Sequence, residues 1–68
     1  MRYAVIFEKT SGSFGAYVPD LPGCVAVGES LAEAKSLIAE AMKHHLRELK
    51  EDGGRTPDPA SVVAYIEA

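Results

Sequence analysis

The sequence predicts an α+β domain with the element order β-β-β-α-β, in which one long helix packs on one face of a mainly antiparallel sheet. Two observations carry this prediction. Short apolar runs separated by glycine- and proline-containing turns occupy the first 27 positions, which is typical of strands. Positions 31 to 51 contain no glycine or proline and repeat their apolar residues every three to four positions, which is typical of an amphipathic helix.

The first two predicted strands form a β-hairpin. They span residues 3–8 and 14–19, and the polar sequence KTSGS that joins them contains a glycine, which favours a turn. Two prolines then break the second strand, and Gly23 turns the chain because glycine adopts a positive φ without steric cost. The third strand is predicted at residues 24–27, where a short apolar run resumes.

The helix is predicted to begin at residue 31, directly after a capping signal. Ser30 is a favoured N-cap residue, and Glu33 is placed to accept a hydrogen bond from the Ser30 amide in a capping box. A glycine pair at positions 53 and 54 ends the helix, and two later prolines prevent it from restarting. The sequence SVVAYI at residues 61–66 predicts a last strand.

The predicted sheet has a second face that one helix does not cover. Tyr3, Val5 and Phe7 point to one side of the first strand, yet the residues between them are also apolar, and the last strand repeats this pattern. An antiparallel sheet with a solvated face normally carries polar residues there, so we expect a homo-oligomer or a protein partner to cover it. The alternative is that small residues such as Ala4 and Ala64 line this face and tolerate exposure.

The length and the residue types restrict how the domain is stabilised. The chain of 68 residues predicts a single domain over residues 1–68. A core of this size is only marginally stable unless a disulfide, a bound metal or a partner supports it. The single cysteine, Cys24, has no disulfide partner in the chain, so we interpret it as a buried thiol in a cytoplasmic protein. His44 and His45 lack the companion ligands of a zinc site, and no metal or cofactor is predicted. Association with a partner therefore remains as the additional source of stability.

The charge balance argues against nucleic-acid binding, and the short apolar run at the N-terminus argues against a membrane span. Seven basic and ten acidic residues give a net charge of −3, and no cluster of lysine and arginine is visible, so a basic protein partner is favoured over nucleic acid. The alternative is that a mildly acidic balance is ordinary for a soluble protein. The apolar run at residues 3–7 is too short for a signal peptide or a membrane span, which predicts a soluble cytoplasmic protein.

One stretch of the chain carries a resemblance to a known family. The sequence PDLPGC at residues 19–24, followed by GESLAEA at residues 28–34, resembles the HicB-like antitoxins of bacterial and archaeal toxin–antitoxin systems, and the resemblance extends from Tyr3 almost to the C-terminus. It implies a truncated ribonuclease H-like fold and an antitoxin that binds HicA, a small basic toxin that cleaves messenger RNA. Full antitoxins of this family often add a C-terminal DNA-binding domain. The chain stops at Ala68, so we expect neither that domain nor direct binding of nucleic acid.

Two other functions compete with the antitoxin. The first is a general interaction module, oligomeric and with an unrelated partner, which the sequence does not separate from an antitoxin. The second is a degenerate ribonuclease H-like nuclease, which needs carboxylates converging on a metal. Glu8, Asp20 and Glu29 instead have structural interpretations at a strand end, in a turn and at a helix N-terminus, so no catalytic activity is predicted.

The predicted partner-binding surface combines residues 20–24, which we name the proline turn, with one sheet face and the acids near the helix start. These features are apolar or acidic, as a contact with a basic protein requires. The candidate residues are Tyr3, Val5, Phe7, Tyr17, Asp20, Leu21, Pro22, Gly23, Cys24, Glu29 and Glu33.

Overall fold

Three strands followed by one helix form the regular structure of the chain. A computed structural model describes residues 1–68. Strand β1 spans Ile6–Thr10, β2 spans Ser13–Tyr17 and β3 spans Val25–Gly28, and helix α1 spans Leu31–Glu51. The strands form one antiparallel sheet in the order β1-β2-β3. The predicted α+β class and the order β-β-β-α are confirmed.

The hairpin of β1 and β2 begins later in the chain than the sequence predicts. Ile6 pairs with Tyr17 at the open end of the ladder, and a tight turn with Gly12 at a φ of +81° closes the other end. The ladder does not continue toward residue 3, because the Val18 amide donates to the carbonyl of Cys24 and the next residue, Pro19, has no amide hydrogen. The predicted strand at residues 3–8 is therefore shifted to 6–10.

The hydrophobic core lies between α1 and the inner face of the sheet. Helix α1 packs mainly on β3 and also on β2. The buried apolar residues come from the strands, the proline turn and the first half of the helix: Ala16, Val18, Leu21, Cys24, Ala34 and Ile38. Half-buried residues from the N-terminus and from the second half of the helix surround this cluster. No helix of the structure combines the length and the apolar character that crossing a membrane requires.

The end of β3 packs directly against the first turn of α1. Gly28 is buried at this point, and a Cβ atom placed on it would lie 2.6 Å from the backbone nitrogen of Ala34. Non-bonded atoms do not approach so closely, so only glycine fits here. The absence of a side chain therefore sets how closely the helix approaches the sheet.

The predicted last strand at residues 61–66 is wrong for this structure. The chain after residue 53 contains neither helix nor strand, and no backbone-to-backbone hydrogen bond involves a residue after Gly54. A strand needs a hydrogen-bonded ladder with a neighbour. The apolar side chains of this segment, including Val62 and Ile66, are exposed to solvent.

Candidate functional site

Two consecutive turns build the proline-rich connection between β2 and β3. The Leu21 amide donates to the Val18 carbonyl at 3.0 Å, and the Cys24 amide donates to the Leu21 carbonyl, also at 3.0 Å. Pro22 and Gly23 occupy the centre of the second turn, and Gly23 has a φ of +85°. Proline followed by a glycine with positive φ is the arrangement of a type II turn. The prediction that Gly23 turns the chain is confirmed.

The two turns direct the side chains of Leu21 and Cys24 into the core. Leu21 is fully buried and Cys24 nearly so, and burial raises the pKa of the Cys24 thiol. Pro22 and Gly23 remain exposed between them. Of these four predicted contact residues, the structure therefore leaves only Pro22 and Gly23 at the surface.

Asp20 connects the proline turn to a distant part of the chain. Its Oδ2 accepts hydrogen bonds from the amides of Ala60 and Ser61, both at 2.9 Å, and its Oδ1 accepts one from the Ser61 hydroxyl at 2.8 Å. These bonds, first that of the Ser61 amide, hold the pKa of Asp20 below its ordinary value. The sequence indicated only a local turn for Asp20, because its partners lie 40 and 41 residues away.

The predicted sheet face divides between two sides of the sheet. Phe7 pairs with Ala16 on the inner side, where Tyr3, Val5 and Phe7 pack against the core. Tyr17 pairs with Ile6 on the opposite, outer side. The expectation that Tyr3, Val5, Phe7 and Tyr17 share one face is wrong, because the register of the hairpin decides which side each residue takes.

The outer face of the sheet is apolar and uncovered. Ile6, Tyr17 and Val25 form one row across the three strands, and Glu8 and Val27 belong to the next row. Val25 and Val27 are 64% and 67% exposed, although both are branched aliphatic residues. A shallow groove of about 490 Å³ lies along this face and reaches the proline turn. Exposed apolar surface of this kind marks contact sites for other proteins.

Sequence reasoning missed Val25 and Val27 as candidate contact residues. The available signal was the alternation in the third strand, where Cys24 and Ala26 point to one side and the two valines point to the other. The helix covers only the side of Cys24 and Ala26. The valines therefore belong to the outer face, together with Tyr17.

The two acids at the helix start are held by local hydrogen bonds. The Glu33 amide donates to the Ser30 hydroxyl at 3.1 Å, which confirms Ser30 as the N-cap. The Glu33 carboxylate accepts from the Glu29 amide at 2.7 Å, one residue before the amide that the sequence predicted. Both carboxylates stay exposed at the positive end of the helix dipole, where negative charge is favoured.

Comparison with known proteins identifies the family. Residues 3–68 match the family model described as the HicB_like antitoxin of bacterial toxin–antitoxin systems. The chain belongs to the HicB-like antitoxin family. In this HicB-like protein, the proline turn and the outer sheet face form one exposed surface, and the outer sheet face lies on the side of the sheet away from α1.

Two relatives extend the comparison of this HicB-like chain. A UPF0150 protein of Helicobacter pylori is 40% identical over 52 residues, which cover 76% of this chain and 72% of the relative. An uncharacterised 14.9 kDa protein from the rep–hol intergenic region of Haemophilus phage HP1 is 33% identical over 66 residues, which cover 97% of this chain. The chain spans about half the length of that phage protein.

No three side chains of His, Cys, Asp or Glu are grouped so that they could hold a metal ion. His44 lies 3.3 Å from Glu48 on the exposed side of the helix, one turn away, as helix surface pairs commonly do. The outer face of the sheet offers an apolar contact area that contains one acidic residue, Glu8.

Proposed function

We propose that this HicB-like protein is an antitoxin that neutralises a small, basic, mRNA-cleaving toxin of the HicA type by direct protein contact. The exposed outer sheet face is the observation that carries the proposal. Its centre is formed by Tyr17, Val25 and Val27, which are exposed and apolar. Apolar residues at the centre of a patch supply most of the binding energy of a protein interface.

The charge of the protein supports a basic partner. The net charge is −3, and Glu8 lies within the outer face beside Val27. Opposite charges on two proteins accelerate their encounter, and salt screens this attraction. We therefore expect added salt to lower the association rate of the complex more than it raises the dissociation rate.

We also propose that the protein forms a homo-oligomer when the toxin is absent. The core is small for a chain of 68 residues, and the same apolar outer face is available for a second copy. Light scattering should then give a mass above that of one chain at about 10 µM or higher, a range in which weak association is measurable. A monomer throughout that range would contradict the oligomer.

The antitoxin proposal is tested by co-expression with a basic toxin-like protein encoded beside the gene. The wild-type chain should restore growth. The double variant Val25→Glu, Val27→Glu should fail to do so, because two charges would be buried in the contact. Leu37→Glu is the control, since Leu37 is also an exposed branched aliphatic residue, at 42%, but lies on the helix.

Each result of this experiment has a defined meaning. Rescue by the wild type and the control, without rescue by the double variant, supports neutralisation through the outer face, provided that circular dichroism shows all variants folded. Continued toxicity with both wild-type proteins soluble would contradict the antitoxin and favour an interaction module with an unrelated partner. Metal-dependent RNA cleavage by this chain alone would favour the nuclease.

A further inference from the structure

The C-terminal segment lies beside one of the two edges of the sheet, the edge formed by β1. We name residues 55–68 the C-terminal strap. A depression lined by residues 2–4 and 61–63 is followed by one lined by residues 5–7 and 63–65 together with Leu31 and Lys35 of α1. The strap therefore runs parallel to the N-terminal part of the chain. Because β1 is an edge strand, the strap lies beside the beginning of this edge, at Ile6 and Phe7, and beside the residues that precede it.

Side-chain hydrogen bonds attach the strap at its beginning. Three of them end on the Asp20 carboxylate, which accepts from two amides and one hydroxyl at Ala60 and Ser61. The Tyr3 hydroxyl adds a further bond to the carbonyl of Pro57. Hydrogen bonds to a charged acceptor are about twice as strong as neutral ones. Asp20 is therefore the main polar attachment of the strap.

Apolar burial contributes little to holding the rest of the strap. Val62, Tyr65 and Ile66 are each at least 90% exposed, and Val63 is half exposed. Since the hydrophobic contribution is proportional to the apolar area removed from water, these side chains hold the strap only weakly. No backbone ladder joins the strap to β1 either. Its position therefore depends on the attachment at Asp20.

The edge beside the strap is a site at which copies of the chain can pair. Edge strands present unpaired amides and carbonyls to other chains, and native proteins often cover such edges with a loop. Here the half-buried Tyr3 and Val5 lie next to the same edge. Removal of the strap would expose both the polar groups of the edge and these apolar side chains.

We propose that Asp20 acts as a latch that holds the C-terminal strap over the free edge of β1 and thereby prevents copies of the chain from pairing through that edge. The latch gives the proline turn a second role, which is independent of the outer face and of the toxin. It also explains why Asp20 points to residues 60 and 61, although the exposed turn offers solvent as an alternative partner.

Hydrogen exchange of backbone amides tests the latch. In Asp20→Ala, the amides of Ala60 and Ser61 should exchange about tenfold faster or more than in the wild type, as loss of a charged hydrogen bond implies. Asp58→Ala is the matched control, because Asp58 is an exposed acid of the strap itself. The amide of Ile38 in the helix serves as an internal reference and should be unchanged in both variants if they remain folded.

Sedimentation velocity tests the protection of the edge. The measurement is made in chains that also carry Val25→Glu and Val27→Glu, so that association through the outer face is removed. In this background, Asp20→Ala should form larger species at a given concentration, whereas Asp58→Ala should not. Equal exchange at Ala60 and Ser61 with and without Asp20 would overturn the latch. Faster exchange without any increase in association would overturn its protective role.

Discussion

Strand β3 and the C-terminal strap contain similar residues but differ in structure. The sequence CVAV leads into a strand that pairs with β2 from Tyr17↔Val25 to Phe14↔Gly28. The sequence SVVAYI in the strap has more branched and aromatic residues and forms no strand. Strand propensity is therefore not what separates the two regions, since residues of both kinds favour strands.

The two regions differ in the connection that brings each of them to the strand beside it. A short pair of turns returns the chain from β2 to β3, and the buried side chains of Leu21 and Cys24 fix those turns to the core. The strap follows a helix and a pair of glycines, contains two prolines itself, and is attached mainly through Asp20. Closing a short loop costs less entropy than closing a long one, so β3 is ordered more easily.

The largest expected effect concerns the contact between β3 and the helix. Gly28→Ala should lower the free energy of unfolding by about 3 kcal/mol, because its Cβ would meet the backbone of Ala34 at 2.6 Å and backbone atoms do not yield easily. Gly15→Ala is the control, since the nearest atom to its Cβ would be 4.0 Å away. Urea denaturation measures both variants. Equal midpoints would show that the helix moves freely relative to β3.

A smaller effect is expected in the turn that precedes β3. Gly23→Val should lower the free energy of unfolding by about 1–2 kcal/mol, because a branched side chain is disfavoured at a φ of +85°. No atom would clash with the new Cβ, so the cost is conformational. Gly23→Asn should cost less, because asparagine tolerates positive φ. Thermal unfolding compares the two variants, and an equal loss would mean that φ is not the cause.

The cap that joins β3 to the helix should contribute about 1 kcal/mol. Ser30→Ala removes the hydroxyl that accepts from the Glu33 amide, and loss of an N-cap side chain typically has this cost. Ser36→Ala, on the exposed side of the same helix, should change the free energy of unfolding by less than about 0.5 kcal/mol. A similar loss in both variants would indicate that Ser30 does not act as the cap.

The smallest effect on global stability is expected at the strap, and a pH titration tests its attachment most directly. The folded-state pKa of Asp20 lies below 3.8, so the attachment is fully present above that value and is lost as the pH falls through the lower, folded-state pKa. The amide resonances of Ala60 and Ser61 should move toward unstructured positions over that range. In Asp20→Asn this transition should be absent. If it persists in that variant, another carboxylate is responsible.

Local signals in the sequence were sufficient for most of the fold. The hairpin turn, Gly23, the Ser30 cap and the helix from residue 31 to residue 51 each depend on residues within a few positions of one another. The three-strand order and the α+β class follow from them. The helix end at Glu51 was likewise predicted by the glycines that follow it.

Such local signals did not predict which side of the sheet each side chain takes or which residues bind each other across long stretches of sequence. The register Ile6↔Tyr17 places Tyr17 opposite to Phe7, and a shift of one residue would have reversed this assignment. Nothing near Asp20 in the sequence indicates a partner at Ser61, because that contact exists only once the fold has formed. The apolar content of residues 61–66 predicted a strand, but no ladder forms there.

The missing side chain at Gly28 also has a mechanical consequence. Only Glu29 and Ser30 lie between β3 and α1, and there is no space for even a methyl group where the two elements meet. Strand β3 and the beginning of helix α1 must therefore move together as one rigid unit. A probe on Val27 and another on Leu37 should therefore keep a constant separation in solution. The outer side of β3, with Val25 and Val27, therefore keeps a fixed orientation relative to the helix.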